Sequence, residues 1–158
     1  MIKCSKIDIG GGLRPKQGFI NLDPAHGEDI FKRKLQDGIP VEDNSIDELY
    51  CSHTLEHIPA ADRIACINEC NRVLKVNGTF EIIVPIIGYT DSSNKGHYVN
   101  NCAAWADPTH VSYFWMPESF LYFTNSEIAS ADYGIIYWKL LSAEINDNAE
   151  GRVILQKI

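Results

Sequence analysis

The first 23 residues constrain the fold more than any other part of the chain. Lys6-Ile7-Asp8-Ile9 has the make-up of a short buried strand. Gly10-Gly11-Gly12 reads as a turn, and Gly18-Phe19-Ile20-Asn21-Leu22-Asp23 as a second strand ending on an acid. Glycine tolerates positive φ and lacks a Cβ, so such a turn lets a ligand approach the backbone closely. A carboxylate at the tip of the next strand can accept hydrogen bonds from both hydroxyls of a ribose diol. The order suits a pocket for a nucleoside-bearing cofactor, although Asp23 before Pro24 also fits a plain turn opener. A dinucleotide fingerprint is excluded, because Pro15 stands where Gly or Ala is required and no helix N-terminus follows to hold a pyrophosphate. A cofactor without phosphates fits better than NAD or FAD.

Only Gly10 to Gln17 separates the two strands. A crossover helix needs a dozen or more residues, and Pro15 keeps Arg14 out of the helical region. The first helix of the fold is therefore expected to be missing or reduced to a turn. Further on, Glu28 to Gln36 reads as either a short strand or a loop, and Ile46 to Cys51 as a strand. Pro59 opens the best helix, roughly Ala60 to Lys75, with Ile64, Ile67, Cys70 and Leu74 at helical spacing. Glu69 and Arg72 fall three apart on its outer face, and Asn77-Gly78 is a helix stop. Thr79 to Val84 reads as a strand ended by Pro85. A long loop follows from Ile86 to Trp115, with a short helix near Tyr98 to Trp105, and Pro117-Glu118-Ser119-Phe120 starts another helix. Gly134 to Ala143 and Arg152 to Ile158 read as an antiparallel hairpin. The whole predicts one α/β domain over residues 1–158: a Rossmann-like, mostly parallel sheet closed by a C-terminal antiparallel hairpin.

The chain has 158 residues and a formal net charge of −7. That balance offers no electrostatic footprint for a phosphate backbone and argues against nucleic acid as a partner. Lys32-Arg33-Lys34 is the one dense basic run, and a solvated loop accounts for it. No apolar run approaches the about 18 residues of a membrane span. The N-terminus lacks the apolar core of a signal peptide. Five cysteines without framework spacing then predict reduced thiols in a cytoplasm. Cys66 and Cys70 would share a helix face. Two thiols do not make a metal site, even with His53, His57 and Cys102 imagined beside them, so buried thiols and no metal are expected.

Several ordered segments resemble class I S-adenosylmethionine-dependent methyltransferases, specifically a compact relative of the type 11 group. They are Ile7-Asp8-Ile9-Gly10-Gly11-Gly12, Gly18 to Asp23, Glu42 to His57, Arg72 to Gly78, and Asp107-Pro108-Thr109-His110 followed by Pro117-Glu118-Ser119-Phe120. The resemblance implies S-adenosyl-L-methionine as cofactor. Asp8, Gly10, Gly11 and Gly12 would pack against its methionine moiety and ribose, and Asp23 would bind the ribose diol. Ser52, His53 and Thr54 would line the methyl-transfer site. Relatives often carry Asp-Leu where Lys34-Leu35 stands here, which leaves the backbone amide of Leu35 to read the adenine. The final antiparallel strand also fits that group.

The implied reaction is methyl transfer to an oxygen or nitrogen of a small molecule, a sugar or a protein side chain. His53 and His110 are the candidate general bases, because imidazole titrates near neutral pH. Asp107 would orient His110 or bind the acceptor. Structural readings stand beside these: Glu56 can gain from the dipole of the helix that follows, and His110 can sit as a satisfied histidine among Trp105, Tyr113, Phe114 and Trp115. A second hypothesis is a non-catalytic module of the same fold acting through a partner, motivated by the missing helix and the altered adenine position. An open cofactor face and exposed aromatic residues would suit a homodimer.

Overall fold

The computed structural model describes residues 5–100, 102–129 and 133–158, with the side chains of Cys102 and Ala103 outside the description. The elements in chain order are β1 (Lys6–Ile9), β2 (Ile20–Leu22), β3 (Ile46–Ser52), α1 (Ala60–Val73), β4 (Leu74–Thr90), β5 (Gly96–Tyr98), α2 (Cys102–Ala106), β6 (Phe114–Met116), α3 (Glu118–Thr124), α4 (Ser126–Ala129), β7 (Lys139–Ile145) and β8 (Glu150–Gln156). The main sheet runs β2-β1-β3-β4-β8-β7. β2, β1, β3 and β4 pair in parallel, while β8 is antiparallel to both β4 and β7. This is the Rossmann-like sheet with a C-terminal antiparallel hairpin that the sequence predicts.

No helix lies between β1 and β2. The short crossover is held down on the sheet by polar side chains of the strands themselves. The Lys16 amide donates to Asp8 Oδ2 at 2.6 Å. The Gly11 amide donates to Asn21 Oδ1 at 3.1 Å, and Asn21 Nδ2 returns a bond to the Gly12 carbonyl at 2.9 Å. Asp8, Asn21, Tyr50 and Glu81 share the sheet face on which this loop lies, since strand neighbours alternate in direction. Among the described residues no helix covers that face. Ion pairs occupy it instead: Lys16 Nζ lies 2.8 Å from Glu81 Oε2, and Arg152 Nε lies 2.7 Å from Glu81 Oε1. Lys16 also sits 3.9 Å above the Tyr50 ring.

The opposite face carries the core. Ile7, Ile9, Leu49, Cys51, Phe80, Ile82, Val84, Val153 and Leu155 are buried there with Ile67 and Cys70 of α1. Burial of an aliphatic side chain of this size contributes about 1.5–3 kcal/mol. Trp138 lies fully buried beside Phe80, with ring centroids 6.1 Å apart.

Several boundaries differ from expectation, each for a visible reason. α1 stops at Val73, short of the Asn77-Gly78 signal, because tertiary donors meet its last carbonyls: Asn44 N on Arg72 O, Ser45 N on Val73 O and Lys157 Nζ on Asn71 O. β4 does not end at Pro85 but runs on to Thr90. Its neighbour β3 has already ended, at the Ser52–Ile83 pair, so the missing N–H interrupts little of the ladder. Part of the expected long loop is a second small sheet, in which β4 pairs with β5 and β6. The ambiguous Glu28–Gln36 segment is two 3-10 turns, Asp29–Phe31 and Leu35–Asp37.

Glu69 and Arg72 pair as expected, and they also tie the loop before β3 to α1. Arg72 Nη2 donates to the Ile39 carbonyl at 2.9 Å and Nη1 to the Val41 carbonyl at 3.0 Å, while Glu69 Oε1 accepts the Ile39 amide at 2.7 Å. The Arg72 guanidinium holds the Glu69 carboxyl below its ordinary value of 4.5. A depressed carboxyl contributes stability above its unfolded value and loses it as pH falls through the folded value. Arg72→Gln should therefore lower the melting temperature at neutral pH, with the gap to wild type closing on acidification below 4.5. Ile67→Ala, at a fully buried site, should cost about 2–5 kcal/mol in denaturant unfolding.

Candidate functional site

Every expected site residue lies at or just beyond the C-terminal ends of β1, β2 and β3, apart from Leu35, His110 and Asp107, which loops bring to the same end. At the end of β1, Gly10 has φ +72, and a Cβ there would stand 2.1 Å from Thr54 Oγ1. Thr54 in turn donates to the Ile9 carbonyl at 3.2 Å. Gly10 is thus required by the approach of the β3 loop as well as by its own dihedral. Gly12 has φ +54 and nothing within 4 Å of where its Cβ would be, so its backbone is open. Gly11 packs against Asp8 and Asn21.

Asp23 is buried and makes the turn that the sequence anticipates. Oδ1 accepts the amides of Ala25 and His26 at 2.8 and 2.7 Å, which makes the turn. Oδ2 accepts the Gly12 amide at 3.2 Å, which places the carboxylate against the glycine turn. Leu35 is buried and walls a hollow of about 210 Å³ with Gly10, Leu22, Pro24, Thr54 and His57. Asp8 and Ser52 face away from it. They line a separate hollow of about 300 Å³ on the helix-free face, with Gly10, Gly11 and Arg14. Burial raises the Asp8 carboxyl above its ordinary value, against the opposing pull of the Lys16 amide.

The chain then turns at His53, which has φ +53, into a 3-10 turn over Leu55–His57 that precedes α1. Glu56 is consequently not in the first turn of α1, as its dipole reading would require. Its side chain is 1% exposed, and neither carboxylate oxygen has a hydrogen-bond partner. Three histidines surround it. His53 Nδ1 lies 3.4 Å and His110 Nε2 3.9 Å from Glu56 Oε1. His57 stacks edge-on against His110 with ring centroids 4.9 Å apart.

His110 is brought here by backbone bonds. The amides of Val111 and Ser112 donate to the Glu56 carbonyl at 2.9 and 3.0 Å. Asp107 Oδ2 lies 3.6 Å from His110 Nε2, so the two expected partners are indeed neighbours. The Thr109 hydroxyl and amide hold the Asp107 carboxyl below its usual range. On the other side, His53 Nε2 bonds Glu150 Oε1 at 2.8 Å. The Glu56 carboxylate close to Nδ1, and then the bond to Glu150, raise the His53 pKa despite partial burial. Glu56 and Glu150 were missing from the expected site. Glu150 sits 97 residues from His53, at the start of β8, where no local pattern signals the contact.

The comparisons with known proteins bear on the fold. The family model described as a methyltransferase domain matches residues 19–82. No curated protein matches the sequence. Among solved structures, an S-adenosylmethionine-dependent methyltransferase from Mesorhizobium loti is similar at TM-score 0.59 and 13% identity, over 98% of this chain and 91% of that one. The 1,6-didemethyltoxoflavin-N1-methyltransferase of Burkholderia thailandensis, solved with its substrate and S-adenosylhomocysteine, gives 0.56 and 14%, over 96% and 70%. A chain of the Haloferax volcanii complex that contains the Trm112 methyltransferase activator gives 0.60 and 14%, over 98% and 82%. These identities speak for the fold.

The contact between Gly10 and Thr54 makes a direct prediction. Gly10→Ala should destabilise the protein by more than the about 1–2 kcal/mol that a left-handed backbone costs an L-residue. Introducing Thr54→Gly beside it should remove the excess, leaving the backbone cost, as read by thermal unfolding of the double-mutant cycle.

Proposed function

We propose that this chain, of which residues 19–82 match a methyltransferase domain model, is a class I S-adenosylmethionine-dependent methyltransferase of the type 11 group that transfers a methyl group to an oxygen or nitrogen of a small molecule, a sugar or a protein side chain. One observation carries the reading. His57 lines the hollow beside Gly10 and Leu35 and also belongs to the histidine–carboxylate cluster around Glu56, so a cofactor cradle and a polar acceptor wall adjoin.

The residues of the cradle suit the cofactor. The open backbone at Gly12 admits a ligand, and Asp23 Oδ2 retains acceptor capacity for a ribose hydroxyl beyond its one bond to the Gly12 amide. Leu22, Leu35 and Ile58 offer an apolar wall for an adenine face. Asp8 acts at one remove in this reading: it fixes the loop that carries the glycine turn. Ser52 and Arg14, in the hollow beyond Gly10, suit the polar amino-acid end.

When bound, S-adenosylmethionine supplies a methyl group already activated by the sulfonium. The demands on the chain are therefore orientation and proton management. His53, His110 and Asp107, with Glu56 and Glu150, form the wall that hydrogen-bonds a hydroxyl or amine and takes up the proton it loses. General-base assistance of this kind is worth about 10²–10⁴ in rate.

A second reading, a module that works through a partner, is favoured by the helix-free sheet face. A structural relative from Haloferax volcanii occurs in a complex with a methyltransferase activator. Isothermal titration with S-adenosylhomocysteine separates the two. The catalytic reading expects micromolar binding by the isolated chain. Asp23→Ala, and Asp23→Asn as the variant that keeps an oxygen for the turn, should weaken it at least about tenfold, since a hydrogen bond to a charged group is worth about 1.5–3 kcal/mol. Absence of binding by the wild type would favour the partner-dependent module.

A further inference from the structure

We propose that Glu56, His57 and His110 form a binding site for a divalent first-row transition-metal ion. A carboxylate oxygen of Glu56 and one ring nitrogen from each histidine lie within 4.8 Å of one another. Two imidazoles and one carboxylate are a donor set suited to zinc or iron(II). With bonds of about 2.0–2.2 Å, such an ion separates its ligand atoms by at most about 4.4 Å. At the tetrahedral angle that zinc prefers the spacing is about 3.4 Å, so closing the site takes movements of about 1 Å, which rotation of the exposed His57 ring can supply.

Three independent features point to a cation. Glu56 is 1% exposed and both its oxygens lack hydrogen bonds. An ionised carboxylate in that position is costly unless it is paired or coordinates a metal. Its ionic neighbours within 4 Å among the described residues are His53 and His110, neither at hydrogen-bonding geometry. The second feature is the orientation of the rings. Nδ1 of His57 meets the Thr109 carbonyl at 3.2 Å, and Nδ1 of His110 meets the Ala104 carbonyl at 3.4 Å. Donation of Nδ1–H to a backbone carbonyl leaves the Nε2 lone pair for a metal, which is the usual outer-shell arrangement of ligating histidines.

The third feature is a fourth group in reach. Asp107 Oδ2 stands 3.6 Å from His110 Nε2 and is exposed enough to swing in. The ligands come from two places, the turn before α1 and the 107–112 loop, which the Val111 and Ser112 amides bind to the Glu56 carbonyl. The described cysteines take no part. Cys66 and Cys70 are buried in α1 against the sheet, on the core side. The inference does not depend on the methyl-transfer reading and is tested without activity.

The experiment uses the full chain, stripped with chelator, titrated with Zn²⁺ by calorimetry and with Co²⁺ by visible absorption. The expected result is one equivalent bound per chain, with cobalt d–d bands and no thiolate charge-transfer band. His57→Ala, at an exposed position, should fold and weaken binding by at least the roughly 10–100-fold that loss of even an outer-shell partner costs. Glu56→Gln, with its fold checked by circular dichroism, should do the same. His97→Gln, a histidine on β5 paired with Asp91, should leave affinity unchanged. No stoichiometric binding, binding unchanged in both His57→Ala and Glu56→Gln, or a cobalt–thiolate band would overturn the proposal.

Discussion

The architecture depends on how little chain connects β1 to β2. With only a loop available, the crossover cannot place a helix on its side of the sheet. The loop must instead be tied to the strands by whatever they present. Asp8 and Asn21 do this by accepting amides of residues 16 and 11. Because no helix arrives, the rest of that face has to be compatible with water, and Lys16, Glu81 and Arg152 make it so. Exposed ion pairs contribute only about 0–1 kcal/mol each. Their value here lies in keeping a sheet face soluble rather than in stability, which comes from the single apolar layer opposite.

The same economy shapes the site. In a three-layer sheet the ends of the strands would be bracketed by helices from both sides. Here the glycine turn is bracketed by Thr54 on one side and by Asp23 on the other, each touching the turn directly. The polar groups beyond β3 are packed closely enough that their charges depend on one another. His53 is flanked by two carboxylates, and Glu56 is buried among three imidazoles. A cluster of this composition holds more acid–base capacity than packing requires, which is why it reads as the chemical end of the molecule.

Local pattern carried the strands of the main sheet, the hairpin and the start of α1, since burial alternation, turn residues and Pro59 act over a few positions, but it missed the short strands β5 and β6. It misjudged the end of α1 because Asn44, Ser45 and Lys157, all distant in sequence, cap that helix before its own stop signal is reached. It misjudged Pro85 because a proline's effect depends on whether a neighbouring strand is still alongside. At the site, the contact of Asp23 with the glycine turn was legible, because adjacent parallel strands bring such positions together. The burial of Glu56 was not, since a Glu-His pair ahead of a helix looks the same whether it meets solvent or a folded-over loop. Glu150 was invisible for the same reason: only the β4–β8 pairing carries it to His53.

The core side of the sheet has one more property. Cys51, Cys66 and Cys70 are free and buried. Burial lifts all three thiols well above their ordinary value, Cys66 to about 11. A thiol needs its thiolate to react, so these three are silent towards alkylating reagents while α1 stays on the sheet. They become ordinary thiols when it leaves. The protein thus contains its own clock for opening, and the rate at which those sulfurs take up a label measures how often helix and sheet part company.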